Sequence, residues 1–498
     1  MVGDSEFEES AALVLAAEDC PSESFLTLHK FSQHDERTIA SLMAHGPVLL
    51  RGSRGSGKSA LMIEAARRLK EPPQSASALG VYISLRHFKL LRSAGEQYEH
   101  LLCSLVVNEL RSALGLQVEG LGILSEAMKL QIALTELTSR IGRRIILLFD
   151  DAAHLGREAS LADFFDVFRT LSSRTVSCKA AIYPGVTRFG NRFDVLNDAT
   201  VLEVARSEDL PGFANFFRDV MEARYPDGFS DAVFSRRLTK EGVAEFLGRA
   251  VLGNMRAFVF ACNELKERCG GGTVGLPELG TSAIELAQNY YWPLLDEIRP
   301  KLGAYEPMIE SAQELGSALF KACGERENSP HAILIHRDLS ERLSKPLEIL
   351  EYAGFIAKRE ASRAMKSGGR GSRFAMNLCN LLEHKSGSRL TDKLMAEWKG
   401  RSEPVEFNRA SPLATFELPA VDADRELAIL AEPISSLRRS NAYPYGLTEN
   451  KLELLQAAGF ETIADLADAD DETILAVPTI GRVHLQRVRN VVGQAIWM

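Results

Sequence analysis

Short runs of consecutive apolar residues alternate, in the first 200 residues, with longer segments in which apolar residues recur every three or four positions. The short runs predict buried strands, and the longer segments predict amphipathic helices that cover a sheet. The predicted strands lie at 48–50, 80–85, 145–149, 179–183 and 200–204. Helical spacing separates the first three of these strands. We therefore expect a doubly wound parallel sheet of the α/β class.

Helical spacing continues beyond the last predicted strand. Three segments predict a small helical lid: 211–223, 240–250 and 256–268. Three further segments predict helices that lead into a basic hairpin: 311–323, 333–343 and 346–353. The order of helices followed by a hairpin favours a winged helix.

The last hundred residues divide into a weakly patterned part and a patterned one. Residues 403–441 are rich in Pro, Ser and Ala and predict a linker. Helical spacing returns in the last segment, which predicts a small all-α domain. The predicted organisation is an N-terminal extension at 1–29, a P-loop core at 30–208, a lid at 209–300, a winged helix at 301–385, a linker at 386–444 and a helix-hairpin-helix domain at 445–498.

The composition is that of an ordinary globular protein, with 45% hydrophobic and 25% charged residues. A chain of 498 residues is too long for one core and suggests about three domains. No apolar run approaches the roughly 20 residues that cross a bilayer. The acidic start, residues 1–19, lacks the basic end and apolar core of a secretory signal. We expect a cytoplasmic protein without a membrane partner.

Cysteine usage and charge exclude further classes. The seven cysteines are scattered without a C-x-x-C pair, so neither a disulfide framework nor a zinc site is indicated. The net charge of −9 argues against indiscriminate coating of nucleic acid. Any DNA binding must therefore come from a local basic patch.

A complete P-loop follows the first predicted strand and precedes a helix. Its glycines let backbone N–H groups face a polyphosphate, and the helix adds the positive end of its dipole. Lys58 would reach the β- and γ-phosphates, and the Ser59 hydroxyl would bind Mg²⁺. The expected cofactors are ATP and Mg²⁺, and the predicted nucleotide-binding residues are Gly52, Ser53, Arg54, Gly55, Ser56, Gly57, Lys58 and Ser59.

The third predicted strand ends in Asp150 and Asp151, which is a Walker B pattern. Asp150 would hold the metal together with Ser59, and Asp151 is the candidate general base that orients the attacking water. Glu is the usual residue at the second position, and Asp is one methylene shorter. A pair of solvated aspartates at a strand end is the alternative interpretation.

The fourth predicted strand leads into a polar loop that would lie beside the γ-phosphate. Thr187 is a candidate sensor there. Arg188 or Arg192 could stabilise charge in cis or on a neighbouring subunit, while a solvated loop arginine is an equally good account.

These motifs, together with Gly253-Asn254-Met255-Arg256-Ala257, resemble those of AAA+ ATPases, especially the origin-recognition and archaeal replication-initiator clade. The resemblance covers about residues 30–385. It implies ATP hydrolysis, and it implies that Arg256 is the sensor 2 arginine, although Asn254 replaces the family's acid. The signal-transducing STAND ATPases are similar and share an Asp-Asp Walker B.

The basic hairpin of the predicted winged helix is a candidate DNA-backbone contact. Its six basic residues stand against the single acid Glu360, so the local charge is +5. The helix before it carries Glu348 and Glu351, which argues against base reading. The predicted contacts are Lys358, Arg359, Arg363, Lys366, Arg370 and Arg373. A solvated basic hairpin is the alternative.

The C-terminal segment resembles helix-hairpin-helix modules, which bind DNA backbones without reading bases. Its hairpin around Gly481 would expose N–H groups at the start of a helix, and Arg482, Arg487 and Arg489 would add charge. Thr479 stands where such modules have their first glycine. A protein-docking module is the alternative.

These patterns predict an ATP-dependent molecular switch that binds duplex DNA, hydrolyses ATP and assembles into a homo-oligomer when ATP binds. The alternative is a STAND-like signalling ATPase of a prokaryotic antiviral defence system, whose C-terminal modules dock a partner protein. A helicase-like protein is the partner expected under the first reading. The sequence does not decide between replication, defence and transposition.

Overall fold

The structure is a computed structural model that describes residues 17–115, 126–152, 158–185, 189–190, 192–226, 228–269, 272–421, 427–439 and 446–497. A five-stranded sheet, here called the core sheet, contains β1 Val48–Arg51, β2 Ala78–Ser84, β3 Arg144–Asp150, β4 Val176–Ile182 and β5 Thr200–Glu203. All neighbouring strands are parallel, in the order β2-β3-β4-β1-β5. The predicted doubly wound α/β sheet is confirmed.

Helices cover both faces of the core sheet, because successive strand residues point to opposite sides. Leu50 of β1 packs with Leu61, on one face, whereas Leu49 packs with Leu102 and Phe164 on the other. The helices of this region are α1 Ser22–Leu28, α2 Gln33–Met43, α3 Lys58–Arg68, α4 Phe88–Arg92, α5 Gly95–Leu114, α6 Ala127–Ile141, α7 Glu158–Leu171 and α8 Val195–Asp198.

Five helices form the lid that follows the core sheet. They are α9 Phe213–Arg224, α10 Lys240–Ala250, α11 Met255–Cys269, α12 Leu276–Leu286 and α13 Trp292–Ile298. Phe217 of α9 and Phe258 of α11 are fully buried, with ring centroids 4.7 Å apart. The lid shares one hydrophobic core with a face of the core sheet, so the two do not form separate globules.

The next segment has the element order of a winged helix. It contains α14 Met308–Gly324, β6 Ala332–His336, α15 Arg337–Arg342, α16 Ser344–Ala353, β7 Ile356–Ala364 and β8 Arg370–Met376. The sequence interpretation of 333–343 as one helix was wrong for its first part. Ile333, Leu334 and Ile335 are all buried in β6, which lies between two other strands, and such a short apolar run does not distinguish strand from helix.

The segment interpreted as a linker is more structured than expected at its start. It follows α17 Leu378–Glu383 and contains α18 Asp392–Lys399 and β9 Val405–Phe407. β9 pairs in parallel with β6 and completes a four-stranded sheet in the order β7-β8-β6-β9. Trp398 at the end of α18 is 1% exposed and stacks on Phe246 of the lid.

The C-terminal module consists of α19 Glu449–Ala457, α20 Ile463–Asp468, α21 Asp471–Leu475 and α22 Arg482–Trp497. Its core is a separate cluster that includes the fully buried Ile463 and Val488. Leu91 of α4 joins this cluster, and Arg92 pairs with Asp468 at 3.2 Å. The module therefore packs against the end of the core sheet beyond β2. Across the described ranges, no helix is both long and apolar enough to cross a membrane.

Candidate nucleotide-binding site

The P-loop connects β1 to α3 and has the backbone that its glycines permit. Gly55 and Gly57 have φ values of +78° and +95°, which side-chain-bearing residues adopt rarely. A Cβ on Gly55 would lie 2.6 Å from the Cβ of Arg256, so glycine also allows the lid to approach. The Lys58 ammonium donates to the carbonyl oxygens of Gly52 and Ser53, at 2.9 and 3.1 Å. The loop and its lysine thus form one compact cradle.

Lys58 lies in an enclosed, mixed-charge environment. Burial lowers the pKa of its ammonium to about 8, and the carboxylates of Asp150 and Asp151 oppose that shift. The ammonium also stands 4.1 Å from the centroid of the Tyr183 ring. Lys58 remains mostly protonated at neutral pH and supplies a positive charge at the centre of the cradle.

Asp150 is the last residue of β3 and is 1% exposed. Its Oδ2 accepts a hydrogen bond from the Tyr82 hydroxyl at 2.8 Å, and the Ser59 hydroxyl is also a partner. Burial, and then the neighbouring Asp151 carboxylate, raise the pKa of Asp150 to about 7. The structure therefore brings Ser59 and Asp150 together, as the sequence predicted for the metal ligands.

Asp151 has a φ of +54°, in the left-handed region that Asp tolerates better than most residues. Its Oδ2 accepts from Nε of Arg86 at 2.6 Å, and its Oδ1 accepts from the Tyr183 hydroxyl at 3.2 Å. Both carboxylate oxygens are thus held in place. The solvated strand-end alternative does not describe Asp150 or Asp151, which are 1% and 5% exposed.

Arg86 is a site residue that sequence reasoning missed. Ser84 pairs in register with Asp150, so a side chain two residues beyond β2 lies beside the Walker B acids. Although burial alone favours the neutral guanidine, the Asp151 carboxylate raises the pKa of Arg86. A Cβ on Gly493 of α22 would lie 3.6 Å from Cδ of Arg86, so the C-terminal module contacts this arginine. The available signal was an arginine directly after a strand next to the Walker B strand.

The lid is bonded directly to the P-loop backbone at the start of α11. The Arg256 N–H donates to the Gly55 oxygen at 3.1 Å, and the Asn254 amide donates to the Arg54 oxygen at 2.6 Å. Asn254 thus makes a contact that an acid at that position could not make, because a carboxylate has no N–H to donate. Arg256 is 8% exposed and lines the same cleft as Lys58.

Two further ion pairs fix the outer side of the P-loop. The Arg54 guanidinium pairs with the Glu297 carboxylate of α13 at 2.9 Å. The same carboxylate also accepts a hydrogen bond from the Lys301 ammonium. On the opposite side, Arg206 donates to the Ser56 oxygen at 2.6 Å and pairs with Asp35 of α2 at 2.9 Å. Arg206 and Asp35 are 5% and 1% exposed, and neither had a recognisable signal in the sequence.

α16 packs directly against the P-loop and the end of β4. The Arg54 N–H donates to the Tyr352 oxygen at 3.1 Å, and the rings of Tyr352 and Tyr183 pack edge to face with centroids 4.9 Å apart. A Cβ on Gly185 would lie 2.8 Å from the Cβ of Glu348. The helix that precedes the β7–β8 hairpin is thus packed against the P-loop.

A cleft connects these parts. Lys58, Ser59 and Asp151 line it together with further basic residues and with four apolar side chains: Leu28, Phe31, Met255 and Val259. A cleft that combines charged groups with apolar side chains suits a nucleoside polyphosphate. Thr187 and Arg188 lie outside the described residues, and Arg192 is exposed.

A scan of protein-family models and a search of curated proteins gave no match. Among solved structures, the chain is similar to the Aeropyrum pernix ORC1 protein in complex with DNA, at 14% identity over 78% of this chain and 98% of that chain, with a TM-score of 0.33. A Walker-type ATPase of Pyrococcus abyssi is 16% identical over 70% and 93% of the two chains, with a TM-score of 0.39. The replication initiation protein DnaA of Thermotoga maritima is similar in its domain III, at 14% identity over 55% and 94%, with a TM-score of 0.29.

The basic residues of the hairpin formed by β7 and β8, here called the wing, are partly neutralised by carboxylates. Some of these carboxylates lie far away in the sequence, and one lies within the wing. Arg359, whose side chain is 8% exposed, pairs with Glu208 at 2.7 Å. Arg363 and Arg373 both approach Glu360, at 2.8 and 3.7 Å. The buried pair is not available to a phosphate, whereas the exposed Arg363 pair is weak, with about 0–1 kcal/mol of stabilisation.

The acidic side of β9 adds to this neutralisation. Lys366 pairs with Glu403, and its N–H donates to Glu406 at 2.7 Å. Lys358 and Arg370 are exposed and have no ion pair among the described residues. The usable positive charge of the wing is therefore smaller than the +5 counted along the sequence.

The hairpin between α21 and α22 is open to solvent. Gly481 and Arg482 are exposed, and no atom lies within 4 Å of a Cβ placed on Gly481. Thr479 adopts φ +67°, which is the conformation that a glycine would take without strain. Arg487 is half-buried. Arg489 has a structural role, because it bonds Asp471 at 2.8 Å and the carbonyl oxygens at the end of α20.

Proposed function

We propose that this protein binds and hydrolyses ATP, and that the bound nucleotide controls the packing of its core sheet, lid and winged helix. The observation that carries this proposal is that Lys58, Ser59 and Asp151 line one cleft together with residues of the lid, while α16 is bonded to the P-loop backbone through Tyr352. A bound nucleotide can change how the domains pack only if its site contacts those domains differently in the two states. The bonds from the P-loop to the lid and to α16 provide such contacts.

Mg²⁺ fits the donors present at this site. The Ser59 hydroxyl and the Asp150 carboxylate are hard oxygen donors that lie within hydrogen-bonding distance of each other. When bound, the metal would be held by the Ser59 hydroxyl and the Asp150 carboxylate, and it would neutralise negative charge that develops on the phosphates in the transition state.

The remaining roles follow from position and charge. Lys58 and the N–H groups of the P-loop hold the phosphates, and Arg256 brings positive charge from the lid. Asp151 orients the attacking water and accepts its proton, and Arg86 and Tyr183 hold its carboxylate in place. The apolar side chains that line the cleft take the base.

Nucleotide-dependent compaction is the test of the switch. Arg256 contacts both the P-loop and the cleft, so we expect small-angle scattering to give a more compact particle with ATP than with ADP in the wild-type protein. Arg256→Ala should remove this difference while ATP still binds. Arg268→Ala, at the far and exposed end of α11, is the matched control. Coinciding wild-type profiles with ATP and ADP would contradict the switch.

We also propose that the protein binds duplex DNA through phosphate contacts. The exposed hairpin around Gly481 supports this, since it presents N–H groups at the start of a 16-residue helix next to Arg482 and Arg487. The wing, with Lys358 and Arg370 exposed, is the second contact. Because α16 is packed against the P-loop, base reading is not expected.

Salt dependence and paired variants test the DNA proposal. With about four phosphate contacts, affinity should fall about 100-fold between 50 and 200 mM salt, equally for unrelated sequences. The double variant Arg482→Ala/Arg487→Ala should weaken binding more than Arg370→Ala/Arg373→Ala, because Arg373 is paired inside the wing. Mobility-shift titrations measure both. Undiminished binding by the Arg482/Arg487 variant would remove the hairpin from the contact.

A STAND-like signalling ATPase is the second candidate, and a specific observation favours it. The winged helix is packed on the nucleotide site through Tyr352, and the wing cations are largely paired with acids. In this case ATP would release the winged helix, allow assembly into a homo-oligomer and expose the C-terminal module to an effector protein. Loss of a partner from pull-downs by the Arg482/Arg487 variant, without DNA binding at low salt, would favour this candidate.

A further inference from the structure

An acidic residue from the beginning of the described chain enters the nucleotide cleft. Glu18 lies in a short turn at Ala17–Asp19, ahead of α1, and its side chain is 19% exposed. Its Oε2 is 3.5 Å from Nη1 of Arg86, and its Oε1 is 3.4 Å from the Tyr82 hydroxyl. The Ser59 hydroxyl is a further hydrogen-bond partner. A residue outside the P-loop and Walker B motifs thus reaches the predicted metal and phosphate position.

Glu18 adds a third carboxylate to those of the Walker B residues at this end of the cleft. Three carboxylates, of Glu18, Asp150 and Asp151, have oxygen atoms within 4.8 Å of one another. Three cations face the same region: Lys58, Arg86 and Arg256. Arg54, Arg206 and Arg224 line the cleft too, and Arg54 and Arg206 are each paired with a carboxylate of their own. Glu18 is therefore an anion held among basic side chains.

We propose that the Glu18 carboxylate occupies the position of the terminal phosphate and therefore competes with the γ-phosphate of ATP. The proposal rests on the proposed ATP binding. The Arg256 guanidinium, which the proposed function directs at the phosphates, also faces Glu18, and Arg86 and the Ser59 hydroxyl add further contacts to the Glu18 carboxylate. Two anions cannot use one set of donors, so one of them must leave.

Charge repulsion gives the direction of the competition. The complex of ATP with Mg²⁺ carries a net charge of about −2, and a cleft that accepted it with Glu18 in place would hold a carboxylate close to the terminal phosphate in a poorly hydrated site. Departure of Glu18 removes one negative charge. ADP lacks the γ-phosphate, so Glu18 can stay when ADP binds. The N-terminal segment therefore distinguishes the triphosphate from the diphosphate.

The ionisation of Glu18 agrees with this role. Burial favours its neutral form, but Arg86 and the hydrogen bonds to Glu18 outweigh burial and lower its pKa. The carboxylate is therefore charged at neutral pH. Its negative charge also contributes, after burial and Asp151, to the raised pKa of Asp150.

Calorimetric titration of the full chain with AMPPNP and with ADP, both with Mg²⁺, tests the proposal. Glu18→Gln keeps the shape and removes the charge, so it should bind AMPPNP about tenfold more tightly, which corresponds to about 1.4 kcal/mol. ADP affinity should change by less than about twofold, because ADP has no group at this position. Glu18→Ala should shift AMPPNP affinity in the same direction. Glu23→Gln, exposed on α1, is the matched control and should change neither affinity.

The possible results separate clearly. Weaker binding of AMPPNP with Mg²⁺ by Glu18→Gln would make Glu18 a metal ligand and overturn the proposal. Unchanged affinity in both Glu18 variants would also overturn it. If the wild-type protein and Lys58→Ala both fail to bind AMPPNP, the proposed ATP binding itself is wrong. Wild-type binding that Glu18→Gln leaves unaltered contradicts only the role of Glu18.

Discussion

Lys58→Ala should abolish ATP binding, with an affinity loss of at least about 100-fold, because it removes the charge-assisted bonds to the β- and γ-phosphates. Calorimetric titration with ATP and Mg²⁺ measures the loss. Lys58 also donates hydrogen bonds to the carbonyl oxygens of Gly52 and Ser53, so the substitution removes this donor from the P-loop backbone. Lys58→Met keeps the volume and should lose affinity similarly.

Lys70→Ala is the matched control for this substitution. Lys70 is exposed just beyond the end of α3, so its removal should leave ATP affinity unchanged. Thermal unfolding of Lys58→Ala close to that of the wild type would show that the loss is local. An unaltered ATP affinity in Lys58→Ala would place the phosphates elsewhere and contradict the assigned site.

Asp151→Asn should keep ATP bound but reduce the rate of hydrolysis about 100- to 1,000-fold, the range expected when a general base is removed. Asparagine can still accept a hydrogen bond from Arg86 through its amide oxygen, so the geometry around β3 should persist. Phosphate release under saturating ATP measures the effect. Its matched control is Asp219→Asn, an exposed acid on α9. Wild-type turnover in Asp151→Asn would remove Asp151 from the catalytic role.

The parts of the site that the sequence predicted are those that one short segment encodes. The P-loop places Lys58 and Ser59 through its own glycines and the start of α3, and β3 delivers Asp150 and Asp151 at its end. Such motifs are visible because the backbone between their residues is short and its geometry is fixed. The parallel sheet was also predictable, since β1 to β4 contain buried apolar runs; β5, whose residues are exposed or half-buried, is the exception.

The parts that could not be predicted depend on residues distant in sequence. Arg86 meets Asp151 only because β2 and β3 are neighbours in register, and Tyr352 meets Arg54 only because the winged helix packs back onto the core sheet. Likewise the charge of the wing could be counted from the sequence, but its acids at Glu208 and Glu403 could not be located. Pairing and packing across domains carry no local pattern.

The contacts of β9 and Trp398 indicate which parts of the chain should unfold together. The Trp398 ring stacks on the lid, its Nε1 donates to the Ser329 oxygen at 2.9 Å, and β9 then completes the winged-helix sheet. One hydrophobic cluster extends from the core sheet through Leu413, whereas the C-terminal module has its own cluster. Core sheet, lid and winged helix therefore constitute a single cooperative unit of unfolding, in which Trp292 and Trp398 are both fluorophores, and the C-terminal module is a second unit.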